Sequence, residues 1–446
     1  MPGGVRLIRS PISVAGMVLT TVGAALFLVV FLADLFGFHT NPYIGIVFFL
    51  VLPALFLIGL ALIPLGAWVA RRRQLAGKAP LAMSWPRIDL NDPRQRLTAV
   101  LIFALTMANV VIVSLAAYRG VQYMDSVAFC GQVCHTAMKP EFVAHQTGPH
   151  AHVKCVECHV GPGASSFAKA KFSGTRRVLA VVFHRYSRPI VPSSEQLLAA
   201  RNTCETCHWP QQFHGDKIRR VSEFADNEKN TESVTTLRVH VGGGDGLRGT
   251  ATGIHWHMNV ANEIDYIATD RERQAIPYVR MKDREGVVHE YVVAGTTPEQ
   301  LAKGERRRMD CMDCHNRPSH AMAATPERAV NEMMARGAVP LALPFVHREA
   351  VKALKAGNPA GLRDFYRTQQ PQVLASNASG VEQAVAAVHD IYERNVFPEM
   401  NVKFGSYPNN IGHIDSPGCF RCHDDEHKSA DGKKIDQDCE TCHAIE

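Results

Sequence analysis

All twelve cysteines of the 446-residue sequence fall in six motifs in which the second cysteine is followed directly by histidine. The motifs are Cys130/Cys134/His135, Cys155/Cys158/His159, Cys204/Cys207/His208, Cys311/Cys314/His315, Cys419/Cys422/His423 and Cys439/Cys442/His443. Each cysteine pair is typical of the two thioether anchors of a c-type haem, whose iron then takes the following histidine as an axial ligand. A zinc site would need four converging ligands and gives no reason for this histidine. The sequence therefore predicts six covalently bound haems.

The first motif differs from the others in spacing. Three residues separate Cys130 from Cys134, whereas two residues separate the cysteines of each later motif. We expect the haem at this motif to have a geometry of its own.

The composition changes sharply near residue 119, which predicts an N-terminal membrane anchor and a separate outer domain. Three long runs of uncharged residues precede this point, and each can cross a bilayer as a helix. The first run is too long for the apolar part of a signal peptide, and the second follows almost at once. We therefore expect an anchor over residues 1–118 with transmembrane helices at about 11–33, 44–70 and 97–118, and a domain over 119–446.

Basic residues around these runs predict their orientation. Seven Lys or Arg residues crowd the segment 71–96, and Arg6 and Arg9 precede the first run. The positive-inside rule places this basic loop and the N-terminus in the cytoplasm, and the domain after Tyr118 on the opposite side. That agrees with where c-type haems are attached. We expect a protein of the bacterial inner membrane with a periplasmic haem domain.

The net charge of +6 follows this topology. Residues 1–119 hold ten Lys or Arg against three Asp, whereas the rest of the chain holds 38 basic against 39 acidic residues. The excess positive charge lies at the membrane and does not indicate binding to nucleic acid.

The expected fold class is a membrane protein with three N-terminal transmembrane α-helices and an outer multihaem cytochrome c domain. This domain should be mainly α-helical and irregular, with short β-hairpins. Alternating polarity around Gly-Gly-Gly-Asp-Gly and Arg-Glu-Gly turns predicts hairpins within 233–257 and 276–293. Helical spacing predicts helices at 326–336, 346–356 and 381–395.

A six-coordinate haem needs a second axial ligand, and fifteen of the 21 histidines lie outside the motifs. Most of the fifteen are expected to be ordinary surface or core residues. Closeness to a motif in the chain favours His150, His320, His413 and His427. Gly-Ile-His-Trp-His supplies His255 and His257, with His257 slightly favoured because alternation in a strand turns only one of them to a given haem. The reserve candidates are His145, His184 and His214.

Several strings resemble the NapC/NirT family of membrane-anchored quinol dehydrogenases. The most specific are Phe-Cys-Gly-Gln-Val-Cys-His-Thr-Ala-Met and the segment Pro-Glu-Phe-Val-Ala-His-Gln-Thr-Gly-Pro-His-Ala-His-Val-Lys-Cys-Val-Glu-Cys-His-Val-Gly that follows it. The later Cys-His-Trp-Pro, Cys-His-Asn-Arg-Pro-Ser-His and Asn-Asn-Ile-Gly-His strings resemble the larger inner-membrane branch of the family, which has three spans.

The resemblance implies roles for individual residues. Met138 stands where the family has a methionine ligand to the first haem, which leaves a face of this haem open toward the quinol. His150 stands at a distal-ligand position, and Lys171 matches a lysine that lines the quinol site. Two departures concern this site. The first is an extra residue in motif one, with another before Met138, which changes the geometry at this haem and leaves His135 and Met138 as alternative ligands. The second is Val178, which stands where some members of the family have an acidic residue.

The chemistry of quinol oxidation suggests the same region without the family. A quinol that arrives from the bilayer must lose two electrons and two protons, so it needs a haem near the membrane surface and a nearby proton acceptor. Glu141, His145 and Lys171 are the candidates that the sequence offers near motif one. The alternative is that Lys171 and its basic neighbours meet anionic lipid head groups or haem propionates.

The sequence thus favours a quinol-oxidising enzyme that passes electrons from membrane menaquinol or ubiquinol to a periplasmic cytochrome or reductase. Its expected partners are membrane lipid, the quinone pool and this acceptor, with other membrane-complex subunits possible. The alternative is a non-catalytic electron-relay or anchor subunit of a larger respiratory complex. A terminal reductase would need a substrate-open haem deep in the domain, which the supply of distal histidines disfavours.

Overall fold

The computed structural model describes residues 10–35, 52–76, 89–133, 135–161, 164–190, 200–209, 213, 215–242, 253–258, 262–283 and 285–446. Some side chains in these ranges, among them those of His135 and Lys171, lie outside the description. The chain divides into two compact units, Met1–Asp125 and Ser126–Glu446.

The first unit contains three helices, α1 (Pro11–Leu35), α2 (Leu52–Leu75) and α3 (Pro93–Met124). Two segments are long and apolar enough to cross a membrane, Ala54–Arg73 and Pro93–Met124, whereas the apolar part of α1, Pro11–Phe27, is shorter. The start of the expected second span and residues 77–88 of the basic loop lie outside the described residues.

Helices α1 and α2 approach closely because small residues line their contact. A Cβ on Gly16 would lie 2.7 Å from the carbonyl oxygen of Gly59. Ser13 donates a hydrogen bond to the carbonyl oxygen of Ile63 at 2.9 Å. Small residues and side-chain hydrogen bonds of this kind are the usual basis of helix association in membranes.

The second unit begins with the haem motifs and the helices that carry them. The π-helical turn Phe129–Val133 holds most of motif one. A π turn accommodates one residue more than an α turn, which explains how the longer spacing of motif one is taken up. Its Gly131 is required because the Phe142 ring leaves no room for a Cβ. The next helices are α4 (His135–Thr147), α5 (Cys155–His159), α6 (Ala164–Val182) and α7 (Ala200–Thr203).

Two antiparallel sheets follow in the second unit. The strands are β1 (Lys217–Phe224), β2 (Glu232–Val239), β3 (Glu263–Ala268), β4 (Tyr278–Lys282), β5 (Val288–Val293), β6 (Glu305–Arg308), β7 (His427–Lys428) and β8 (His443–Ile445). One sheet has the order β1-β2-β8 and the other β6-β3-β4-β5-β7. The C-terminal strands therefore return motifs five and six to sheets that are built from the middle of the chain.

The expected hairpin within 276–293 is confirmed, since β4 pairs with β5 around Gly286, which has a φ of 85°. The expectation for 233–257 is wrong. Strand β2 pairs with the preceding β1, because the side-chain oxygen of Asn227 accepts a hydrogen bond from the backbone N–H of Thr231 at 3.1 Å and closes the turn between them. The Ile254–Met258 segment is a 3₁₀ helix, and residues 243–252 lie outside the described part of the chain.

The remaining helices are α8 (Pro298–Lys303), α9 (Cys311–Cys314), α10 (Pro326–Ala335), α11 (Val346–Lys355), α12 (Gly361–Gln369), α13 (Pro371–Ser376), α14 (Ala378–Asn395) and α15 (Cys439–Cys442). The three helices expected between 326 and 395 are confirmed as α10, α11 and α14. These helices share an apolar core in which Leu343, Leu362 and Val388 are completely buried. Tyr366 is also buried there, and its hydroxyl donates to the carbonyl oxygen of Pro344 at 2.9 Å. This stretch thus has a core made of protein side chains alone.

Candidate haem sites

The histidines of motifs two to six each face a second histidine. Ring centres are 6.2 Å apart for His159 and His320, 6.0 Å for His208 and His150, 6.4 Å for His315 and His255, 5.9 Å for His423 and His257, and 6.1 Å for His443 and His413. In every pair one ring comes from a motif and the other from a different part of the chain.

These distances fit an iron atom between the two rings. A metal lies about 2.0 Å from an imidazole nitrogen, and this nitrogen lies roughly 1.1 Å from the centre of its ring. Two rings on opposite faces of one haem should therefore have centres roughly 6 Å apart. All five pairs meet this value, so their residues fit bis-histidine haem ligation.

Hydrogen bonds fix four of the five rings that face the motif histidines. The Nδ1 atoms of His150, His255, His257 and His320 bond the carbonyl oxygens of Pro318, Val241, Ile254 and Glu141 at 3.2, 3.0, 2.8 and 3.0 Å. A carbonyl oxygen only accepts, so Nδ1 carries the proton and Nε2 keeps its lone pair. Such a bond orients an imidazole ligand and raises its basicity.

Burial favours the neutral, metal-binding form of these rings. Burial is the largest cause that lowers the pKa of His159, His257, His315 and His320, and a neighbouring histidine lowers each further. Neutral imidazole is the form that coordinates a metal.

Arg317 positions the His320 ligand. Its Nε donates to the carbonyl oxygen of His320 at 2.7 Å, and its Nη2 donates to both carboxylate oxygens of Glu141 at 3.1 and 2.9 Å. The guanidinium also lies over the ring of Tyr407, 3.9 Å from its centre. The loop after motif four is thereby fixed against helix α4 of motif one.

His427 does not meet the expectation that it is a haem ligand. Its ring is 1% exposed, and its nitrogens bond a carboxylate oxygen of Asp424 at 2.8 Å and the carbonyl oxygen of Ile276 at 2.6 Å. Both nitrogens are thus engaged by groups inside the protein, and His427 forms no ring pair with a motif histidine among the described residues. Proximity to motifs in the chain was misleading here, because strand β7 carries His427 into the sheet beside β5.

His255 takes the place that was expected for His427. The sequence favoured only one histidine of Gly-Ile-His-Trp-His, on the assumption of a strand. In the 3₁₀ helix the structure pairs His255 with motif four and His257 with motif five. The assumption about the strand was also wrong, because residues i and i+2 of a strand lie on the same face. The 3₁₀ helix turns the two histidines in different directions, so each can serve a different motif.

The quinol-site candidates are placed as follows. His145 is buried, and its Nε2 and Nδ1 bond the Val153 carbonyl oxygen at 2.9 Å and the Gln146 amide at 3.2 Å. The Glu141 carboxylate accepts from Arg317. Lys171 lies in α6, with its side chain outside the described set.

The remaining candidates for axial haem ligands are Met138 and His135 at motif one and the reserve histidines. Met138 is on α4, one turn after His135. The side chain of His135 and the whole of Cys134 lie outside the described residues. Of the reserve histidines, His184 is exposed and has a φ of 54°, and His214 lies outside the described residues.

The cysteine thiols, which become thioether sulfurs on haem attachment, place neighbouring motifs side by side. A hydrogen bond with Cys130 lowers the pKa of Cys155 to about 7. A hydrogen bond with Cys204 likewise lowers the pKa of Cys311. Motif one therefore adjoins motif two, and motif three adjoins motif four.

Electrostatic interactions between other thiols extend this order. Burial, Glu157 and Cys207 raise the pKa of Cys158, which places motif two beside motif three. Burial and Cys419 raise the pKa of Cys442, which places motif five beside motif six.

Arg421 joins motifs four and five. Its side chain is 9% exposed and donates to the carbonyl oxygens of Gly418 at 2.8 Å, Arg273 at 2.9 Å and Asp313 at 2.7 Å. Asp313 precedes the second cysteine of motif four, and Arg421 precedes the second cysteine of motif five. All six motifs thus form one series of neighbours in chain order.

A known c-type cytochrome is similar to this chain over nearly its full length. The cytochrome c-type protein ImcH of Geobacter sulfurreducens is 41% identical to this chain over 448 aligned positions, which cover 98% of this chain and 88% of the relative. The chain belongs to this family of c-type cytochromes. No protein-family model matches the chain, and no solved structure matches it. The cytochrome therefore binds haem c covalently, transfers electrons and has apolar helices that anchor it in a membrane.

Proposed function

We propose that this cytochrome is a hexahaem quinol dehydrogenase of a bacterial inner membrane. It passes electrons from menaquinol or ubiquinol to a periplasmic cytochrome or reductase. The observation that carries the proposal is the set of five histidine pairs, which fits bis-histidine ligation at motifs two to six. The side chain of His135 lies outside the described residues, and we propose that the haem of motif one has different ligands and receives the electrons of the quinol first.

The anchor supports the position of motif one near the bilayer. Helix α3 ends at Met124, and Cys130 follows six residues later in the chain. In the proposed topology, α1, α2 and α3 all span the membrane, with the N-terminus in the cytoplasm and the haem domain in the periplasm.

The haem supplies one-electron iron chemistry when it is bound. The residues of the chain hold and tune it. Positions 135 and 138 lie on one face of α4 because they are three residues apart in a helix. We propose that one of them, His135 or Met138, would hold the iron of motif one.

Lys171 is the residue that we propose to meet the quinol. A lysine cation can orient the quinol oxygen and stabilise the negative charge that develops as protons leave. Glu141 and His145 are less suited to this role, because both already have hydrogen-bond partners inside the domain.

The series of adjacent motifs supports transfer from motif one toward motif six. Motif six lies at the C-terminal end, where β8 pairs with β2. Electrons would then leave the domain on the side that carries this sheet, where a periplasmic acceptor can dock.

The test is reduction of the purified full-length holoprotein by a water-soluble quinol analogue. Lys171→Leu should slow haem reduction by quinol by about tenfold or more, while reduction by dithionite and haem content stay unchanged. Lys169→Leu is the matched control, since it removes a cation two residues away on the same helix.

Two results would replace the proposal. Normal quinol kinetics in Lys171→Leu would move the site away from α6. A wild-type chain that quinol never reduces, but that a partner subunit does reduce, would instead identify an electron-relay subunit.

A further inference from the structure

Helix α6 turns an apolar face away from the protein. Phe172 is 83% exposed, Leu179 51% and Val182 61%, and Val178 and the following Phe183 are exposed as well. At 3.6 residues per turn these positions fall on one side of the helix. Ala170 and Val181, on the other side, are partly buried. A surface helix normally has the opposite arrangement, so this apolar stripe needs an apolar partner.

The charges around the stripe are all positive. No Asp or Glu occurs between Glu157 and Glu195, whereas this segment holds Lys169, Lys171, Arg176, Arg177, Arg185 and Arg188. Lys169 and Arg176 are exposed beside the stripe, and Arg177 is exposed farther around the helix. A helix with an apolar face and only basic charges is suited to the surface of a membrane, where lipid chains are apolar and anionic head groups attract Lys and Arg.

A haem is the competing occupant of the stripe. Phe172 and Leu179 lie about half a turn around the helix from the partly buried Ala170 and Val181. The stripe therefore points away from the side of α6 that packs against the protein, and the crosslinking experiment below tests a haem as its occupant.

We propose that α6 lies in the membrane–water interface, with its apolar stripe between the lipid head groups and its basic side chains on anionic phospholipids. The membrane anchor supports this occupant, because a tethered domain meets the bilayer at a far higher effective concentration than it meets a soluble partner. The stripe spans residues 172–183, roughly 17 Å of helix, which matches an element that lies along a surface. The proposal depends on membrane anchoring alone and does not require that the cytochrome oxidises quinol.

The experiment uses the full-length holoprotein in lipid nanodiscs. The photo-crosslinking residue p-benzoylphenylalanine replaces Phe172 or Leu179 in the stripe, and Ser173 on another side of the same helix. Leu341, an exposed apolar residue elsewhere in the domain, is the matched control. After illumination, mass spectrometry counts covalent lipid adducts at each position.

We expect lipid adducts at Phe172 and Leu179 to exceed those at Ser173 and Leu341 by about fivefold or more. Adducts at Phe172 and Leu179 no more frequent than at Leu341, or crosslinks from the stripe to haem or to another segment of this chain, would overturn the proposal. Adducts in discs that contain phosphatidylglycerol should exceed those in discs of phosphatidylcholine alone. Equal labelling in both would overturn the role given to the basic residues. No quinol is present, so a failed quinol assay leaves this result interpretable.

Discussion

Two single substitutions distinguish a haem ligand from a structural histidine. His255→Gln removes a ring whose Nδ1 is fixed by the Val241 carbonyl and whose centre lies 6.4 Å from that of His315. His427→Gln removes a ring that bonds Asp424 and the Ile276 carbonyl inside the protein. We expect only the first substitution to change the coordination of an iron.

The expected magnitudes follow from these contacts. His255→Gln breaks one of five histidine pairs, so one of the five bis-histidine low-spin signals should be lost and one high-spin signal should appear. His427→Gln should leave every haem signal intact. It removes two buried hydrogen bonds, and each partner left unsatisfied costs about 1 to 3 kcal/mol, so local stability near β7 should fall.

Paramagnetic resonance and resonance Raman spectra of the purified holoproteins measure the spin states, and resistance to proteolysis reports the stability of the C-terminal strands. His289→Gln is the control, because His289 bonds Asp283 at the surface and belongs to no ring pair among the described histidines. A high-spin haem in His427→Gln together with an unchanged spectrum in His255→Gln would refute the ligand assignment.

The remaining predictions concern haem number, haem potential and the support of motif four. Intact mass of the holoprotein should show six haems, and five would mean that the longer spacing of motif one prevents attachment. Glu141→Gln should raise the midpoint potential of one haem in a redox titration, because it removes a negative charge 3.3 Å from the Nδ1 of His320, and an unchanged potential would contradict this. Asp313→Asn should lower the stability around motif four by about 2 kcal/mol, measured by hydrogen exchange, because the buried carboxylate accepts from Tyr266 at 2.5 Å and Arg307 at 3.1 Å.

Features set by local sequence could be predicted well. The helices between 326 and 395 follow from apolar spacing, and the turn at Gly286 follows from a glycine between alternating strands. Both signals act over a few residues, so no distant contact was needed to read them.

The partners of the motif histidines depend on distant contacts. His150 lies five residues before motif two, yet it faces His208 of motif three. His413 lies six residues before motif five, yet it faces His443 of motif six. Proximity in the chain identified these residues as candidates but did not identify their partners, because the packing of distant segments decides them.

This exchange of ligands between motifs makes the domain depend on its haems for order. The segment before motif two supplies the partner of motif three, and the segment after motif four supplies His320 as the partner of motif two. Each axial bond would therefore join two segments that are attached to different haems. Metal–ligand bonds that form only in the folded state contribute directly to folding free energy. The helical stretch between α10 and α14 has its own apolar core, whereas the segments that carry the motifs are held by Arg317, Arg421 and ligand bonds. Loss of one haem should thus loosen the neighbouring motifs more than it loosens the helical stretch.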